Sequence, residues 1–262
     1  MITNVVQRWS SGRASYRPAG ETIDTRNYEV AAIDDDTTAK RFVLGHHYSG
    51  SYPAARFRYG IYFGQFLCGV AVFSVPCQPL ALACLPGDDS ERIELGRLVL
   101  HDDVPANAES WFIARCFEQL RAAGIVGVVS FSDPARRVDA DGGVVFPGHV
   151  GTIYQATNAC YLGRSKAETH RMLPDGTIFH RRAMAKIKHR EAGWRYASAI
   201  LVRHGAAVLD EADDAASWLA LWLGRLTRPL RHPGNHKYAW TLQRRDRRHL
   251  PTSLPYPKLA LE

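Results

Sequence analysis

A continuous apolar run at residues 125–131 (IVGVVSF) constrains the fold of this chain more than any other feature. A strand without polar alternation must be covered on both faces, so it belongs inside a sheet and not at its edge. The run follows a helical pattern at residues 110–123, which Gly124 ends. It stops at Ser132, Asp133 and Pro134. Polar groups that collect where a buried strand leaves the core are typical of an active site.

The other patterns predict a mixed α/β protein. Residues 58–76 are rich in aromatic and β-branched side chains around Gly64 and predict a hairpin, and residues 93–100 predict a further strand. The remaining predicted elements are a capped helix ending at about residue 47, a strand after Tyr161, a hairpin around residues 174–176, helices at 182–204 and 213–226, and a last strand at 236–242. We expect a central mixed sheet, largely antiparallel at its start and flanked by helices.

The length of 262 residues and the apolar content of 46% suit one buried core. The predicted organisation is an irregular segment at 1–27, a single catalytic domain at 28–242 with insertions at about 135–147 and 210–232, and a basic tail at 243–262. No segment is apolar enough for a signal peptide or a membrane span, which predicts a cytoplasmic protein. Five cysteines without a CxxC pair argue against a disulfide framework or a zinc knuckle.

The basic charge of the chain is concentrated in its C-terminal part. Residues 164–262 contain 19 Lys and Arg against 9 Asp and Glu, whereas residues 1–163 contain 14 against 17. Clustered positive charge is typical of proteins that lie along nucleic-acid phosphates, although a solvated basic face is the alternative. The same part of the chain supplies several tryptophans and tyrosines, which could stack on bases or lie in a core.

The tip of the apolar run and the turn after it carry the candidate catalytic residues. Ser132 and Asp133 end the strand, and Asp133 could accept a proton from an attacking amine or simply start a turn before proline. His149 lies between two glycines, as a functional imidazole or a loop residue. Tyr154 begins a helix, where its phenol could protonate a leaving group or pack in the core. The next residue, Gln155, could read a base edge through its amide.

A long strand that runs through a polar loop into a helix start collects free backbone N–H groups and the positive end of the helix dipole, which suits a pyrophosphate. Arg97, Asn107 and Ser110 are therefore candidate cofactor-side residues, with helix capping as the alternative for Asn107 and Ser110. His47, Tyr48 and a Ser-Gly-Ser turn suit a mobile loop on the substrate side, in which His47 acts as an acid, a base or a metal ligand.

Several of these strings resemble one known family. SFSDP, the signature GHVGTIYQATNACYLG, the tripeptide HYS at His47, the stretch TIFHRRAMAKIKHR at 177–190 and NHKYAWTL at 235–242 together resemble the Mom proteins, phage-encoded DNA-modification enzymes with a GNAT-like acyltransferase fold. The resemblance covers roughly residues 40–258. It departs at the insertion before the GHVGTIYQA string, which nearly abuts the SFSDP string in Mom, and at residues 210–232.

The resemblance implies modification of the exocyclic amine of adenine in double-stranded DNA to a carbamoylmethyl-type adduct, with acetyl-CoA or a related acyl donor, as protection from restriction. The resemblance also implies that His47 and Tyr48 are site residues and that iron could bind at His47. The glycine-rich pyrophosphate loop of GNAT enzymes is absent, as it is in Mom. The DNA-side residues it implies are Gln155, Asn158, His180, Arg181, Arg182 and Lys237.

Two other functions remain open from the sequence. The first is an acyltransferase of the same fold that acts on another modified base, on a small amine or on protein. The second is a DNA-binding protein without catalytic activity, in which the signature is structural; the many Gly, His, Tyr and Asp residues at one strand tip weaken it. The sequence specifies neither the donor nor the oligomeric state.

Overall fold

The computed structural model describes residues 5–258 of the chain. Its strands are β1 Val5–Ser10, β2 Arg13–Pro18, β3 Tyr28–Ala32, β4 Ala55–Phe63, β5 Phe66–Ser74, β6 Arg92–Leu100, β7 Gly127–Ser132, β8 Arg137–Val138, β9 Val144–Phe146, β10 Cys160–Arg164, β11 Glu168–Met172, β12 Ile178–Phe179, β13 Arg228–His232 and β14 His236–Thr241. Its α-helices are α1 Asp36–His46, α2 Ala108–Ala122, α3 Thr152–Ala156, α4 Arg181–Lys188, α5 Trp194–Arg203 and α6 Ala215–Leu226. Short 3₁₀ helices lie at Thr25–Asn27, Pro79–Leu82 and Arg244–His249.

The described residues divide into two compact units. The first contains the residues up to Asp133, His149–Arg164 and the residues from Asn235 on. The second contains Pro134–Gly148 and Ser165–Gly234, so the chain leaves the first unit twice. The segments predicted as insertions, 135–147 and 210–232, fall inside the second unit, which also contains residues 165–209.

A seven-stranded sheet forms the centre of the first unit, in the order β10-β14-β7-β6-β5-β4-β3. The strands from β3 to β6 pair antiparallel, and β6 and β7 form the one parallel pair of this sheet, connected by α2. The apolar run thus ends up between two strands, as its composition requires, with β6 on one side and β14 on the other. The prediction of a central mixed sheet flanked by helices is confirmed.

Both faces of this sheet are covered. On one face, the side of α2 that carries Phe112, Ile113, Cys116 and Leu120 packs against Phe73, Ile93, Val128 and Tyr238. On the other face, Leu82 and Leu85 pack against Val129 of β7 and Ala239 of β14. Side chains alternate between these faces along a strand, so neighbouring residues of β7 enter different clusters.

The prediction of an irregular N-terminal segment at 1–27 is wrong for residues 5–18. Residues 5–18 form the antiparallel hairpin β1–β2. Ser11 and Gly12 at its turn both have positive φ, of 50° and 75°, which matches the twist of a two-residue hairpin turn. Arg8 and Trp9 are buried, so tertiary contacts hold a hairpin that is short of apolar residues. Residues 1–4 lie outside the described part.

The second unit has its own core, centred on Leu173, Phe179, Ile187, Leu201 and Leu219. The single helix predicted at 182–204 is two helices, α4 and α5, because Arg190 and Gly193 between them adopt positive φ of 52° and 86°. The Arg190 side chain lies over the ring of Trp194 at 4.1 Å and donates to the carbonyl oxygen of Asp210 at 2.7 Å.

The tail predicted at 243–262 is ordered as far as it is described. Arg244–His249 form a 3₁₀ helix, and residues 251–258 run beside β10, where the Leu254 N–H donates to the Tyr161 carbonyl at 2.9 Å. This segment covers the outer edge of the sheet. Residues 259–262 lie outside the described part. Within residues 5–258, none of the helices combines the length and the apolar character that crossing a bilayer requires.

Candidate active site

The parallel strands β6 and β7 separate halfway along their length. Their pairing runs from Arg92 and Gly127 to Leu95 and Ser130, after which β6 continues beside β5 and β7 beside β14. The register between β5 and β6 shifts at Gly96, a bulge that bends the strand at this point. A cavity of about 710 Å³ lies at the separation and is lined by residues 94–100 and by Phe131 and Asp133. Its volume suits a cofactor or small-molecule site.

Glu94 and Arg97 place opposite charges in the cavity wall. Burial raises the pKa of the Glu94 carboxyl, and the nearby Arg97 guanidinium partly opposes the rise. Arg97 is held from the loop after α1: its Nε donates to the Ser51 carbonyl at 3.0 Å and its Nη2 to the Ser51 hydroxyl at 2.7 Å. A carboxyl group with a raised pKa in a cleft is a candidate general base.

Tyr154 of α3 lines the cavity and is also a buried core residue. Its ring makes an edge-on contact with Trp240 at 5.5 Å between centroids and a tilted one with Tyr238 at 5.3 Å. Burial raises the pKa of the Tyr154 phenol, and a hydrogen bond with Ser130 opposes the rise. The phenol therefore keeps its proton at neutral pH and can give it to a leaving group.

Four rings from three parts of the chain line the cavity together: Trp9, His47, Tyr48 and His149. Tyr48 lies between Trp9, at 4.4 Å between centroids, and His47, on which it stacks at 4.3 Å. His149 makes edge contacts of 5.9 Å with both Trp9 and Tyr48. We call these four residues the aromatic cluster.

His47 is buried as a neutral imidazole. Burial lowers its pKa well below the ordinary value, and the charge of Arg97 adds to the effect. The backbone N–H of Ser49 donates to His47 Nδ1 at 3.1 Å, so Nδ1 is an acceptor and the ring proton lies on Nε2. In this tautomer His47 can donate a hydrogen bond from Nε2.

The residues present do not fit the iron that the resemblance implies at His47. Across residues 5–258, His, Cys, Asp and Glu form no group of three or more that could hold a metal ion. The described residues therefore supply no group of three such side chains at the place where the metal was expected.

Glycine shapes the turn that leads into α3. The His149 N–H donates to the Asp133 carbonyl at 2.8 Å, which joins the strand tip to the turn. Gly151 has φ of +68°, and a Cβ there would meet the Tyr154 ring at 2.8 Å and the Tyr238 ring at 2.9 Å. Only glycine fits this close approach, so the GHVG string brings α3 against the sheet.

Ser132, predicted as catalytic, does not line the cavity. It is fully buried behind Gly151, and its Oγ has no hydrogen-bond partner among the described residues. Alternation along β7 explains the difference, because Ser132 points to the core face while Asp133 begins the loop.

The residues predicted on the cofactor side, Arg97, Asn107 and Ser110, all line the cavity. Asn107 and Ser110 also have structural bonds. The Asn107 side-chain carbonyl accepts from the Ile23 N–H at 2.8 Å, and the Ser110 hydroxyl donates to the Asn107 backbone carbonyl at 2.9 Å. The capping that was considered for Asn107 is absent, since its side chain makes no cap bond to α2.

None of the six predicted DNA-side residues lines the cavity. Gln155 has an internal role: its amide donates to the carbonyl oxygens of Val150 at 3.1 Å and Pro257 at 3.2 Å. Asn158 is an exposed residue in the left-handed conformation, with φ of 58°. Lys237 is partly exposed on β14.

The other three, His180, Arg181 and Arg182, are exposed in the second unit. Two of them are partly neutralised there, since Arg181 lies 3.7 Å from Glu168 and Arg182 2.5 Å from Glu191.

Glu94 and Trp9 line the cavity but are not among the predicted site residues. Glu94 lies in the strand IELGRLVL. A glycine inside a strand, close to a charged residue, could have indicated a β-bulge at a functional site. Trp9 lies in VVQRWSSGRASYRP, where a Ser-Gly turn between two short runs could have indicated a hairpin. No local pattern shows that this hairpin reaches the cavity.

Comparison with known proteins gives one family. A family model described as the Mom protein family matches residues 27–258. A curated relative, the methylcarbamoylase mom of Escherichia phage Mu, is 27% identical over 155 residues. The match covers 57% of this chain and 59% of the relative, so the chain spans about three fifths of that protein's length.

Two solved structures also resemble the chain. One is a Bacillus subtilis acetyltransferase in complex with CoA, with a TM-score of 0.37 and 7% identity. The other is a tandem GNAT protein from the clavulanic acid biosynthesis pathway, with a TM-score of 0.43 and 8% identity. Each comparison covers 82% of this chain and 99% of the solved chain.

Proposed function

The chain belongs to the Mom protein family, and we propose that it is a transferase that modifies the exocyclic amine of adenine in DNA, leaving a carbamoylmethyl-type adduct that protects phage DNA from restriction. The observation that carries the proposal is one cavity in which a carboxyl with a raised pKa, a protonated phenol and the aromatic cluster line a common wall. The name of the phage Mu relative, methylcarbamoylase, supports the type of adduct.

The aromatic cluster suits a base that has been turned out of the duplex. The adenine amine is paired inside double-stranded DNA, so an enzyme that modifies it must extrude the base and stack it. The rings of Trp9 and Tyr48 line the same cavity as Asp133 and the two imidazoles. Stacking of a base on an aromatic side chain contributes about 1–3 kcal/mol, part of what extrusion costs.

Glu94 is the residue we propose as general base. The lone pair of the adenine amine is delocalised into the ring, so the nitrogen must lose a proton as it attacks an acyl carbon. A carboxylate with a raised pKa takes that proton more readily than an ordinary one. Asp133 lines the same cavity at the strand tip and is the second candidate for this role.

Tyr154 is the proposed general acid. When the acyl–donor bond breaks, the electron pair leaves with the donor atom, and the phenol proton neutralises it. Arg97 adds a fixed positive charge beside Glu94 and Tyr154, which favours the negative oxygen of the tetrahedral intermediate. This transfer step joins the acyl carbon to the amine and yields an amide. A carbamoylmethyl group requires further chemistry.

Replacing Tyr154 with phenylalanine tests the function and the role together. We expect adducted deoxyadenosine in plasmid DNA from cells that express the wild-type protein, and a loss of about 10²-fold or more in adduct yield for the variant, because the leaving group is no longer protonated. The measurement is mass spectrometry of nucleosides from digested plasmid.

The matched control is Tyr196→Phe, which removes a hydroxyl from a ring that is 75% exposed in the second unit. Unmodified nucleosides together with tight, salt-sensitive DNA binding would instead support the non-catalytic alternative. An adduct on another base, an amine or a protein would support the acyltransferase alternative.

Trp9 provides a second test, of the base-stacking role. Trp9→Phe keeps a ring in the aromatic cluster and should retain most of the adduct yield, whereas Trp9→Ala should lower it about 10-fold or more, because the loss of stacking is about 1–3 kcal/mol. Thermal unfolding of both variants separates this effect from loss of the hairpin. Equal yields from the two variants would contradict the role.

A further inference from the structure

The cavity has an acidic end at the start of α2, where four of its lining residues, Ala106, Asn107, Glu109 and Ser110, are found. A helix start that receives a diphosphate offers free N–H groups and positive charge. Here the Ala106 N–H is already bonded, at 2.9 Å, to the carboxylate of Glu21. The segment before β3 therefore puts a carboxylate of the chain itself beside the start of α2.

The charges around this end reinforce the point. Glu21 is bonded to Arg17, whose Nε donates to it at 2.8 Å, and this hydrogen bond lowers the pKa of Glu21 and keeps it ionised at neutral pH. Arg17 also donates to the backbone carbonyl of Asp102. Asp102 and its neighbour Asp103 lie in the loop before α2, so three carboxylates surround one guanidinium.

Glu109 brings a further acidic group into the cavity wall. Its Oε1 is paired with Arg8 Nε at 2.5 Å, and the carboxylate is buried. Its Oε2 is buried too and has no hydrogen-bond partner among residues 5–258. A buried carboxylate oxygen without a donor costs free energy, so this end of the cavity disfavours a further negative charge.

The residues around the start of α2 thus do not fit the diphosphate of acetyl-CoA. The residues responsible include the cavity-lining segments 5–9 and 20–22, which precede residue 27, where the match to the family model begins. Starting from the acyl transfer of the proposed function, we infer that the donor's acyl group is carried on an arm without phosphate.

Coenzyme A and pantetheine test the inference directly, because they share the same amide-containing arm and differ in the nucleoside diphosphate. We expect the wild-type protein to bind pantetheine. It should bind coenzyme A with a dissociation constant no more than about 3-fold lower than that for pantetheine. Glu21→Ala frees the Ala106 N–H and removes a charge, and should tighten coenzyme A at least 10-fold while pantetheine is unchanged. Titration calorimetry measures both ligands.

Glu21→Gln keeps an acceptor for Ala106 and removes only the charge, so it should show a smaller gain, and it serves as well if the alanine variant fails to fold. Glu118→Gln, an exposed carboxyl on the outer side of α2, is the control and should leave both constants unchanged. The inference would be overturned if the wild-type protein bound coenzyme A 10-fold or more tightly than pantetheine. It would also be overturned if the protein bound neither ligand. The plasmid adduct assay uses neither ligand, so it tests the proposed function separately.

Discussion

Replacing Glu94 with glutamine should lower the rate of adduct formation by about 10²–10⁴-fold, the usual contribution of a general base. Burial raises the pKa of Glu94, with Arg97 opposing the shift. The carboxylate is the active form of a base, so the wild-type rate should rise as the pH increases through that raised pKa. The glutamine variant should lose this rising limb. Adduct yield as a function of pH, in a cell extract that supplies the donor, measures both effects.

The control is again Glu118→Gln, which should change neither the rate nor the pH profile. The thermal stability of the Glu94→Gln protein should not fall, because a neutral amide costs less to bury than a carboxylate. If the variant kept the wild-type rate and pH dependence, Asp133 would become the preferred base.

Replacing Arg8 with alanine should destabilise the first unit by about 3–5 kcal/mol, because it leaves the buried carboxylate of Glu109 without its partner. The side chain also donates to the carbonyl oxygens of His101 at 3.0 Å and Pro105 at 2.7 Å, and to that of Val104. These bonds join the N-terminal hairpin to the loop that precedes α2. A melting temperature lower by roughly 10 °C is the expected result in thermal unfolding.

Two variants test the cause of this loss. Arg8→Met combined with Glu109→Leu removes both charges and should recover most of the stability, since an apolar pair can replace a buried ion pair. Arg26→Ala removes an arginine that is 86% exposed and should leave the melting temperature unchanged. If Arg8→Ala melted like the wild type, the ion pair would not be what holds the hairpin in place.

Most of the central sheet could be predicted from local patterns. The apolar run at 125–131 fixed an internal strand, and Gly64 with its flanking residues fixed the β4–β5 hairpin, because these signals arise within a few residues of the chain. The helix predicted at 182–204 shows the limit. Arg190 leaves the helical conformation to bond a loop about 20 residues further along, and a helical period does not report such a contact.

The candidate site could be predicted in part. Asp133, His149 and Tyr154 were identified because they follow one buried strand, and His47 and Tyr48 through resemblance. Ser132 was misplaced, since its direction depends on the pleat of β7. Gln155 looked suited to reading a base, yet its amide is used within the fold.

The sequence by itself determined the α/β class, the internal strand with its polar tip and the family of the chain, because each is written in residues that are neighbours along the chain. Only the tertiary structure decided how the cavity is closed. Trp9 joins the aromatic cluster and Glu21 covers the start of α2 because the N-terminal hairpin packs across segments about 40 to 140 residues away. The energy of such contacts lies in burial and in hydrogen bonds between distant residues, for which a local pattern carries no signal.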